Sequence, residues 1–383
     1  MQNRVFVLIV GGIGALLIWG CGSSSSNDDE FESAIPTPTW SGTKQLGSSA
    51  DDYANGVAVD SSGNVYAAGY TKGGLDGNTS SGGSDIFVVK YNSSGTKQWT
   101  QQFGTSSGDA GNGVTVDSLD NIYVTGSTSG GLDGNTSSGG SDIFVVKYNS
   151  SGTKQWTQQF GTSSGEVGYG VTVDSLDNIY VTGEAEGGLD GNTNSGSNDI
   201  FLVKYNSGGT KQWTKQLGTS SNDKGLDVAV DSSNNIYVSG YTVGDLDNNT
   251  NFGDKDAFVV KYNSSGDKQW TNLLGTAGME DRAGVAVDSS NNIYMTGNVN
   301  GGLDGNTSSG GSDIYLVKYN SSGVKQWTKQ LGTSSSEEGV KVAVDSLDNI
   351  YVTGYTSGGL DGNTNAGGVD LFVVKYNSDG VKQ

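Results

Sequence analysis

The chain repeats itself every 57 residues, and this period constrains its fold more than any other feature. Glycines recur at that interval without a slip at Gly47, Gly104, Gly161, Gly218, Gly275 and Gly332. Aspartates from Asp60 to Asp345 and tyrosines from Tyr66 to Tyr351 keep the same spacing. Residues 73–108 are identical to residues 130–165. Copies this similar must fold alike, so the sequence predicts a repeat architecture.

Each unit has the pattern of four β-strands. In the first unit, apolar residues predict strands over 56–60 and 64–70. A long polar loop, 71–84, separates these from two further strands predicted over 85–91 and 96–103. Four antiparallel strands exceed one coil of a β-solenoid and suit a propeller blade with one enlarged loop. The sequence therefore predicts an all-β fold, a six-bladed β-propeller with four antiparallel strands per blade.

The phase of the repeat predicts how the ring closes. The repeats open with a lone fourth strand at residues 43–46, and the last complete strand is a third strand, Asp370–Tyr376. We expect the N-terminal strand to pair with this strand and complete the last blade. Such closure hides sheet edges that would otherwise be exposed.

The bulky residues of each unit are expected to pack between blades. Trp99 and Tyr66, with their counterparts, supply the large side chains that stacked antiparallel sheets need. Lys90 lies among apolar residues in the third strand, where an unpaired charge would be costly. We expect it to pair with a nearby aspartate or to extend to the surface.

The first 39 residues are set apart from the repeats. After Arg4, residues 5–20 carry no charge, and this apolar run is shorter than the roughly 20 residues of a membrane-spanning helix. A charged start, a short apolar stretch and small residues are typical of a cleaved signal peptide. The predicted organisation is a signal peptide at 1–20, a lipidated flexible tether at 21–39 and the propeller at 40–383.

The segment before the only cysteine resembles the lipobox of bacterial lipoproteins. In the segment Leu17-Ile18-Trp19-Gly20, Ile18 and Gly20 supply its aliphatic and small positions, and in that family the following cysteine receives diacylglycerol. The resemblance implies that Cys21 is the lipidated N-terminus; the alternative is an unmodified thiol within an ordinary signal peptide. Residues 22–30 have no apolar side chain to bury and suit a flexible tether. The expected location is the outer membrane or cell surface, after secretion across the inner membrane.

Two motifs in each unit are similar to a known repeat family. The pattern G-x-x-V-D-x-x-x-N-x-Y-x-x-G is followed by G-N-x-x-x-G-x-x-D-x-F-V-x-K-Y. Together they resemble the SBBP β-propeller repeats of bacterial envelope proteins, over residues 40–383. These repeats are not tied to one activity, so the resemblance implies a fold and leaves the function open.

The residue inventory excludes several classes of function. The chain has no histidine and a single cysteine, which rules out a disulfide framework, a Cys/His zinc site and histidine acid–base catalysis. Its 41 acidic and 21 basic residues give a net charge of −20. Phosphate binding needs clustered lysine and arginine, so we expect no nucleic-acid partner. A chain of this charge is better suited to binding cations.

Each long loop carries Asp, Asn and Asp at fixed offsets, with Ser or Asn between them. Calcium binds six to eight oxygens from carboxylates, amides and carbonyls, so this pattern suits a calcium site. The alternative is that these side chains fold the loop by bonding its own backbone. The sequence leaves both open. The candidate ligands are Asp76, Asn78, Asp85, Asp133, Asn135, Asp142, Asp190, Asn192, Asp199, Asp247, Asn249, Asp256, Asp304, Asn306, Asp313, Asp361, Asn363 and Asp370.

The units differ mainly in the link from one fourth strand to the next first strand. In a meander, successive connections alternate between faces, so this link and the long loop should emerge on one side. Constant strands with variable loops are typical of a binding surface. The variable residues are Asp51 to Tyr53, Asp109, Glu166, Tyr169, Asp223, Lys224, Met279 to Arg282, Glu337 and Glu338.

These observations favour a non-enzymatic binding or adhesion scaffold. We expect a monomer that meets an extracellular protein or glycan and contacts the membrane only through its lipid. One alternative is a metal-dependent hydrolase or lyase that uses paired carboxylates such as Glu280 and Asp281 for acid–base work. Adjacent acids on a glycine-rich link are poorly held for that role. The other alternative is a purely structural envelope protein.

Overall fold

The computed structural model describes residues 40–383; the predicted signal peptide, Cys21 and the tether lie outside the described residues. Six sheets follow one another along the chain, and every ladder joins consecutive antiparallel strands. Each blade is therefore an up-and-down meander, and the predicted six-bladed β-propeller is confirmed. Among the described residues, no helix has the length and apolar character needed to cross a membrane.

Five blades have four strands and the sixth has three. The first three blades contain β1 (Asp52–Val59), β2 (Val65–Thr71), β3 (Asp85–Tyr91) and β4 (Lys97–Phe103); β5 (Asp109–Val116), β6 (Ile122–Thr128), β7 (Asp142–Tyr148) and β8 (Lys154–Phe160); and β9 (Glu166–Val173), β10 (Ile179–Ala185), β11 (Asp199–Tyr205) and β12 (Lys211–Leu217). The last three contain β13 (Asp223–Val230), β14 (Ile236–Thr242), β15 (Asp256–Tyr262) and β16 (Lys268–Leu274); β17 (Gly284–Val287), β18 (Ile293–Val299), β19 (Asp313–Tyr319) and β20 (Lys325–Leu331); and β21 (Glu337–Val344), β22 (Ile350–Thr356) and β23 (Asp370–Tyr376).

In every blade except the fifth, the first strand begins earlier than its alternation predicts, because it contains a β-bulge. Ala54 pairs with Gly69 and Gly56 pairs with Ala68, so Asn55 has no partner in the ladder. An extra residue breaks the period-two pattern from which a strand is recognised. The bulge also brings the backbone of Tyr53 close to Gly69, where any side chain would clash.

The core consists of layers between neighbouring blades. At the first interface, Tyr66 and Val88 of the first blade pack against Val124 and Phe144 of the second, and all four are buried. The other interfaces between consecutive blades repeat this arrangement. Because successive side chains point to opposite faces, a blade inside the ring needs apolar residues on both.

The expected roles of Trp99 and Lys90 are confirmed. The Trp99 ring lies against Gly152 of the next blade and is tilted on Tyr66, with ring centroids 6.0 Å apart. Lys90 Nζ donates to the Ser150 carbonyl of the next blade at 3.0 Å and lies 3.9 Å from Asp60 Oδ2. Both side chains join blades.

The predicted pairing of residues 43–46 with β23 is not formed. This segment lies on the first blade instead, where Leu46 packs against Leu75, Phe87 and Val89. Trp40 meets Tyr91 edge-on at 6.0 Å, so it takes the place on the first blade that Trp99 takes on the second. These apolar contacts dock the segment without a ladder to β23.

The first and sixth blades each keep one open face, so the predicted closure of the ring is not formed. Leu371 and Val373 of β23 are 77% and 66% exposed, although their counterparts Ile143 and Val145 are fully buried. On the first blade, Val57 is 69% exposed. The sixth sheet begins a fourth strand with an isolated antiparallel bridge between Tyr376 and Lys382.

Candidate functional site

The first aspartate of each long loop is paired with a lysine. In the second blade, Lys154 Nζ lies 2.7 Å from Asp133 Oδ2, and Thr157 donates to the same oxygen. These hydrogen bonds outweigh burial and hold the pKa of Asp133 below its usual range. All six blades have this ion pair, at Asp76, Asp133, Asp190, Asp247, Asp304 and Asp361.

The asparagine and the second aspartate hold the loop together. Asn78 Nδ2 donates to the Leu75 carbonyl at 2.9 Å. Asp85 is buried at the start of β3, and its Oδ2 accepts from the Ser81 amide at 2.7 Å. The structure thus places Asp76 and Asp85 in separate networks, and the contacts are those of loop folding. Residues 40–383 contain no group of three or more carboxylate, cysteine or histidine side chains placed to hold a metal.

The long loops and the links lie at the same end of the blades, as expected. Gly83 donates its amide to the Ser107 carbonyl at 3.1 Å, and Asp109 donates its amide to the Ser84 carbonyl at 2.8 Å. The same contacts recur in the following blades. We call this end the variable face; the opposite face carries the two hairpin turns of each blade, at 60–64 and 92–96 in the first.

Four equivalent positions on the variable face change from blade to blade. They are Tyr53, Ala110, Val167, Lys224, Asp281 and Glu338; Asn55, Asn112, Tyr169, Leu226, Ala283 and Val340, all of which except Ala283 are bulge residues; Tyr70, Ser127, Glu184, Tyr241, Asn298 and Tyr355; and Ser84, Ser141, Asn198, Lys255, Ser312 and Val369. The first set pairs across the ladder with the third, so these side chains are neighbours.

Glu184 is the centre of a polar network in the third blade. Its Oε1 accepts from the Tyr169 hydroxyl at 2.6 Å, and its Oε2 accepts from Asn198 Nδ2 at 2.5 Å. Lys224 of the fourth blade reaches the same Oε2 at 2.7 Å. Burial, reinforced by Glu184, raises the pKa of Tyr169 far above its usual value, so this hydroxyl is a donor at neutral pH. Three donors from two blades therefore fix one buried carboxylate.

Charged pairs continue this network across the fourth, fifth and sixth blades. Lys255 lies over the Tyr241 ring, 4.6 Å from its centroid, and 3.4 Å from Asp281 Oδ2. Arg282 Nε is 2.7 Å from Glu338 Oε2. Burial raises the pKa of Tyr241 to about 12, so its ring stays uncharged beside Lys255. These pairs place opposite charges side by side in fixed positions.

Sequence reasoning identified only part of this surface. Tyr169, Lys224 and the 279–282 link were expected, but Glu184, Asn198, Tyr241 and Lys255 were not. Each of these four is a single substitution, relative to other blades, beside or within a regular strand. A comparison of equivalent positions in the six blades would have found them.

Glu280 and Asp281, the pair proposed for acid–base work, have different partners. Glu280 is buried and accepts from the Thr276 amide and hydroxyl at 2.8 and 2.7 Å. Asp281 faces Lys255. The two carboxylates therefore do not face a common position where a substrate could bind.

Comparison with known families matches the repeats directly. The family model described as the SBBP β-propeller repeat matches residues 42–76, 98–133, 155–190, 212–247 and 326–361. The chain contains five SBBP β-propeller repeats. The fifth unit of this SBBP propeller lies between the last two matched stretches, and it is the unit with the shortened strand β17 and a positive φ at Arg282.

Two curated proteins are similar to parts of the SBBP propeller. The regulatory protein FlaEY of Caulobacter vibrioides is 27% identical over 197 residues, which is 46% of this chain and 20% of that protein. An uncharacterised WD repeat protein, L264, of Acanthamoeba polyphaga mimivirus is 27% identical over 260 residues, 52% of this chain and 18% of that protein. The chain spans about a fifth of the length of these relatives.

Among solved structures, a family PL25 ulvan lyase resembles the chain with a TM-score of 0.51. The match covers 85% of this chain and 81% of the lyase at 12% identity. At this identity the likeness shows a common fold, and a fold alone does not carry a function.

Proposed function

We propose that this SBBP propeller is a non-enzymatic binding module of the bacterial cell envelope and that its variable face holds the ligand. The observation that carries the proposal is the contrast between the two faces. On the opposite face, contacts such as Tyr66 to Asp60 recur in all six blades. The four positions of the variable face instead carry different side chains around the ring. A constant scaffold with one variable surface suits recognition.

The paired charges of the third, fourth and fifth blades favour a polar partner. Glu184, Lys224, Lys255 and Asp281 are held by one another, so their charges are largely compensated. Compensated groups still offer hydrogen bonds at fixed positions, and the Tyr241 ring offers a flat apolar surface. We infer that the ligand is an extracellular glycan or a polar protein surface. Lipid attachment at Cys21 would keep the propeller at the membrane where such ligands occur.

Binding by face variants tests this proposal. The parent chain would be applied to a glycan array and, separately, immobilised and exposed to culture-supernatant proteins. Lys255→Ala with Arg282→Ala removes two partly exposed cations of the variable face. Leu119→Ser with Leu176→Ser, at exposed turns of the opposite face, is the matched control. We expect the first pair to lower the bound amount at least tenfold and the control to leave it unchanged.

Two results would contradict the proposal. Equal loss in both variants would place binding elsewhere than on the variable face. A parent chain that retains no ligand from either source would favour the purely structural alternative. Circular dichroism of each variant checks that the β-fold is intact.

A further inference from the structure

A pair of buried carboxyl groups lies at each interface between consecutive blades. One member is the first residue of a third strand, and the other stands at the start of the next blade. All ten are at most 1% exposed. The pairs are Asp85 with Asp109, Asp142 with Glu166, Asp199 with Asp223, Asp256 with Glu280, and Asp313 with Glu337.

A glycine separates the two carboxyl groups. If Gly104 had a Cβ, this atom would lie within 3.0 Å of both Asp85 Oδ1 and Asp109 Oδ2. At Gly161 the same holds for Asp142 Oδ1 and Glu166 Oε2. The other three interfaces also have glycine here, at Gly218, Gly275 and Gly332, each close to the Oδ1 of its aspartate. At Gly104 and Gly161 the two carboxylates thus converge where the chain has no side chain.

One oxygen of each pair has no hydrogen-bond partner. Asp85 Oδ2 accepts from Ser81 and from Gln102 Nε2, but its buried Oδ1 accepts from no group. The equivalent Oδ1 atoms of Asp142, Asp199, Asp256 and Asp313 are likewise without a partner. Buried polar atoms are nearly always paired, so an orphaned oxygen repeated five times requires an explanation.

No protein cation compensates these charges among the described residues. The second carboxylate takes its hydrogen bonds from neutral groups, as Asp109 does from Thr105 and Thr128. None of the ten acids takes part in an ion pair of residues 40–383. Two buried negative charges side by side are costly unless a positive charge joins them.

The electrostatics agree with an uncompensated pair. Burial raises the pKa of Glu280 to about 7 against the hydrogen bonds from Thr276, and Asp256 adds to the rise. Burial, with Asp223 nearby, also raises the pKa of Asp199. Asp52, at the open face of the first blade, has its pKa lowered because hydrogen bonds from Thr71 and Ser48 outweigh its slight burial.

We propose that each interface binds one calcium ion between the two carboxylates, beside the glycine. Calcium prefers oxygen ligands and tolerates irregular geometry, whereas magnesium demands an octahedron and keeps its waters. The orphaned Oδ1 and the facing carboxylate supply the charged ligands. This site differs from the loop pattern of the sequence, with which it shares only the second aspartate. It joins two blades instead of ordering one loop, and it does not depend on what the variable face binds.

Calcium titration of the full chain tests the proposal. After treatment with chelator and dialysis, isothermal titration with calcium chloride should give five ions per chain, one for each pair. The melting temperature should rise with calcium and much less with magnesium. Glu280→Gln, which is nearly isosteric, should reduce the number of ions from five to four. Asp247→Asn alters the loop aspartate of the neighbouring blade and should leave five.

Other outcomes would overturn this assignment. Loss of an ion in Asp247→Asn but not in Glu280→Gln would show that calcium binds at the long loop instead. Identical melting curves with chelator and with calcium, together with a rise in melting temperature on mild acidification, would show a shared proton at each pair instead. If Glu280→Gln does not fold, Glu166→Gln gives the same comparison at another interface, with Asp190→Asn as its control.

Discussion

The open faces of the first and sixth blades make a prediction with an internal control. Val373 of β23 and Val145 of β7 occupy the same position in their blades. Val145 is fully buried against the next blade, whereas Val373 is 66% exposed because no blade covers it. Truncation of a valine to alanine therefore removes very different amounts of buried surface at the two sites.

The magnitudes follow from these exposures. Truncation of a fully buried valine loses the transfer free energy of two carbons and leaves a cavity, about 2–3 kcal/mol in the free energy of unfolding. At Val373 only about a third of the side chain is buried, so Val373→Ala should cost ~0.5–1 kcal/mol. We expect Val145→Ala to shift the urea midpoint at least twice as far as Val373→Ala does.

Urea unfolding followed by tryptophan fluorescence measures the difference. Parent and variants should be compared at one protein concentration, with the slope of the transition checked for two-state behaviour. Equal shifts for Val373→Ala and Val145→Ala would refute the reasoning, because they would show that the sixth blade is covered in solution as the second is. In that case the closed ring predicted from the sequence would be the state in solution.

Three further predictions can be tested with the same protein. Deletion of residues 40–47 removes Trp40 and Leu46 from the first blade, so the melting temperature should fall by several degrees, and an unchanged melting curve would show that the segment is not docked. Hydrogen bonds from Asn64, Tyr66 and Ser62 outweigh burial and lower the pKa of Asp60. The ionised carboxylate therefore stabilises the folded state above the unfolded pKa near 3.8. This stabilisation is lost as the pH falls through the pKa of Asp60 in the folded state. Asp60→Asn should cost about 1–3 kcal/mol at pH 7, and its stability should approach that of the parent in acid; a constant difference from pH 7 to pH 2 would exclude this origin. Cys21 should be the lipidated first residue of the mature protein, which intact-mass measurement of the membrane fraction decides, since a different first residue or an unmodified cysteine would contradict it.

The sequence predicts the blades well because their strands obey a local rule. Alternation and turn residues define a strand such as β3, and the structure has it with the same bounds, Asp85–Tyr91. The start of β1 could not be predicted, since the bulge at Asn55 interrupts the alternation. Bulges depend on the partner strand, which a single segment does not contain.

The candidate site is harder to predict because its parts come from different blades. Glu184 and Lys224 meet only because the stacking of consecutive blades places the start of one blade beside the second strand of the blade before it. Asp85 and Asp109 form a pair across a blade interface for the same reason. The position of residues 43–46 depends on a balance between a ladder to β23 and apolar contacts with the first blade, and local patterns do not determine that balance.

Every ladder of this propeller joins strands that are adjacent in the chain, and this has a consequence for how the protein is made. Each blade can form as soon as its own 57 residues are available, so folding can proceed from one end without long-range search. The same locality creates a hazard where residues 73–108 and 130–165 are identical. A fourth strand from one of these units fits the third strand of the other, and mispaired or exchanged strands would be compact and well bonded. The side chains that differ among the other blades therefore also help each strand to pair with its own neighbours.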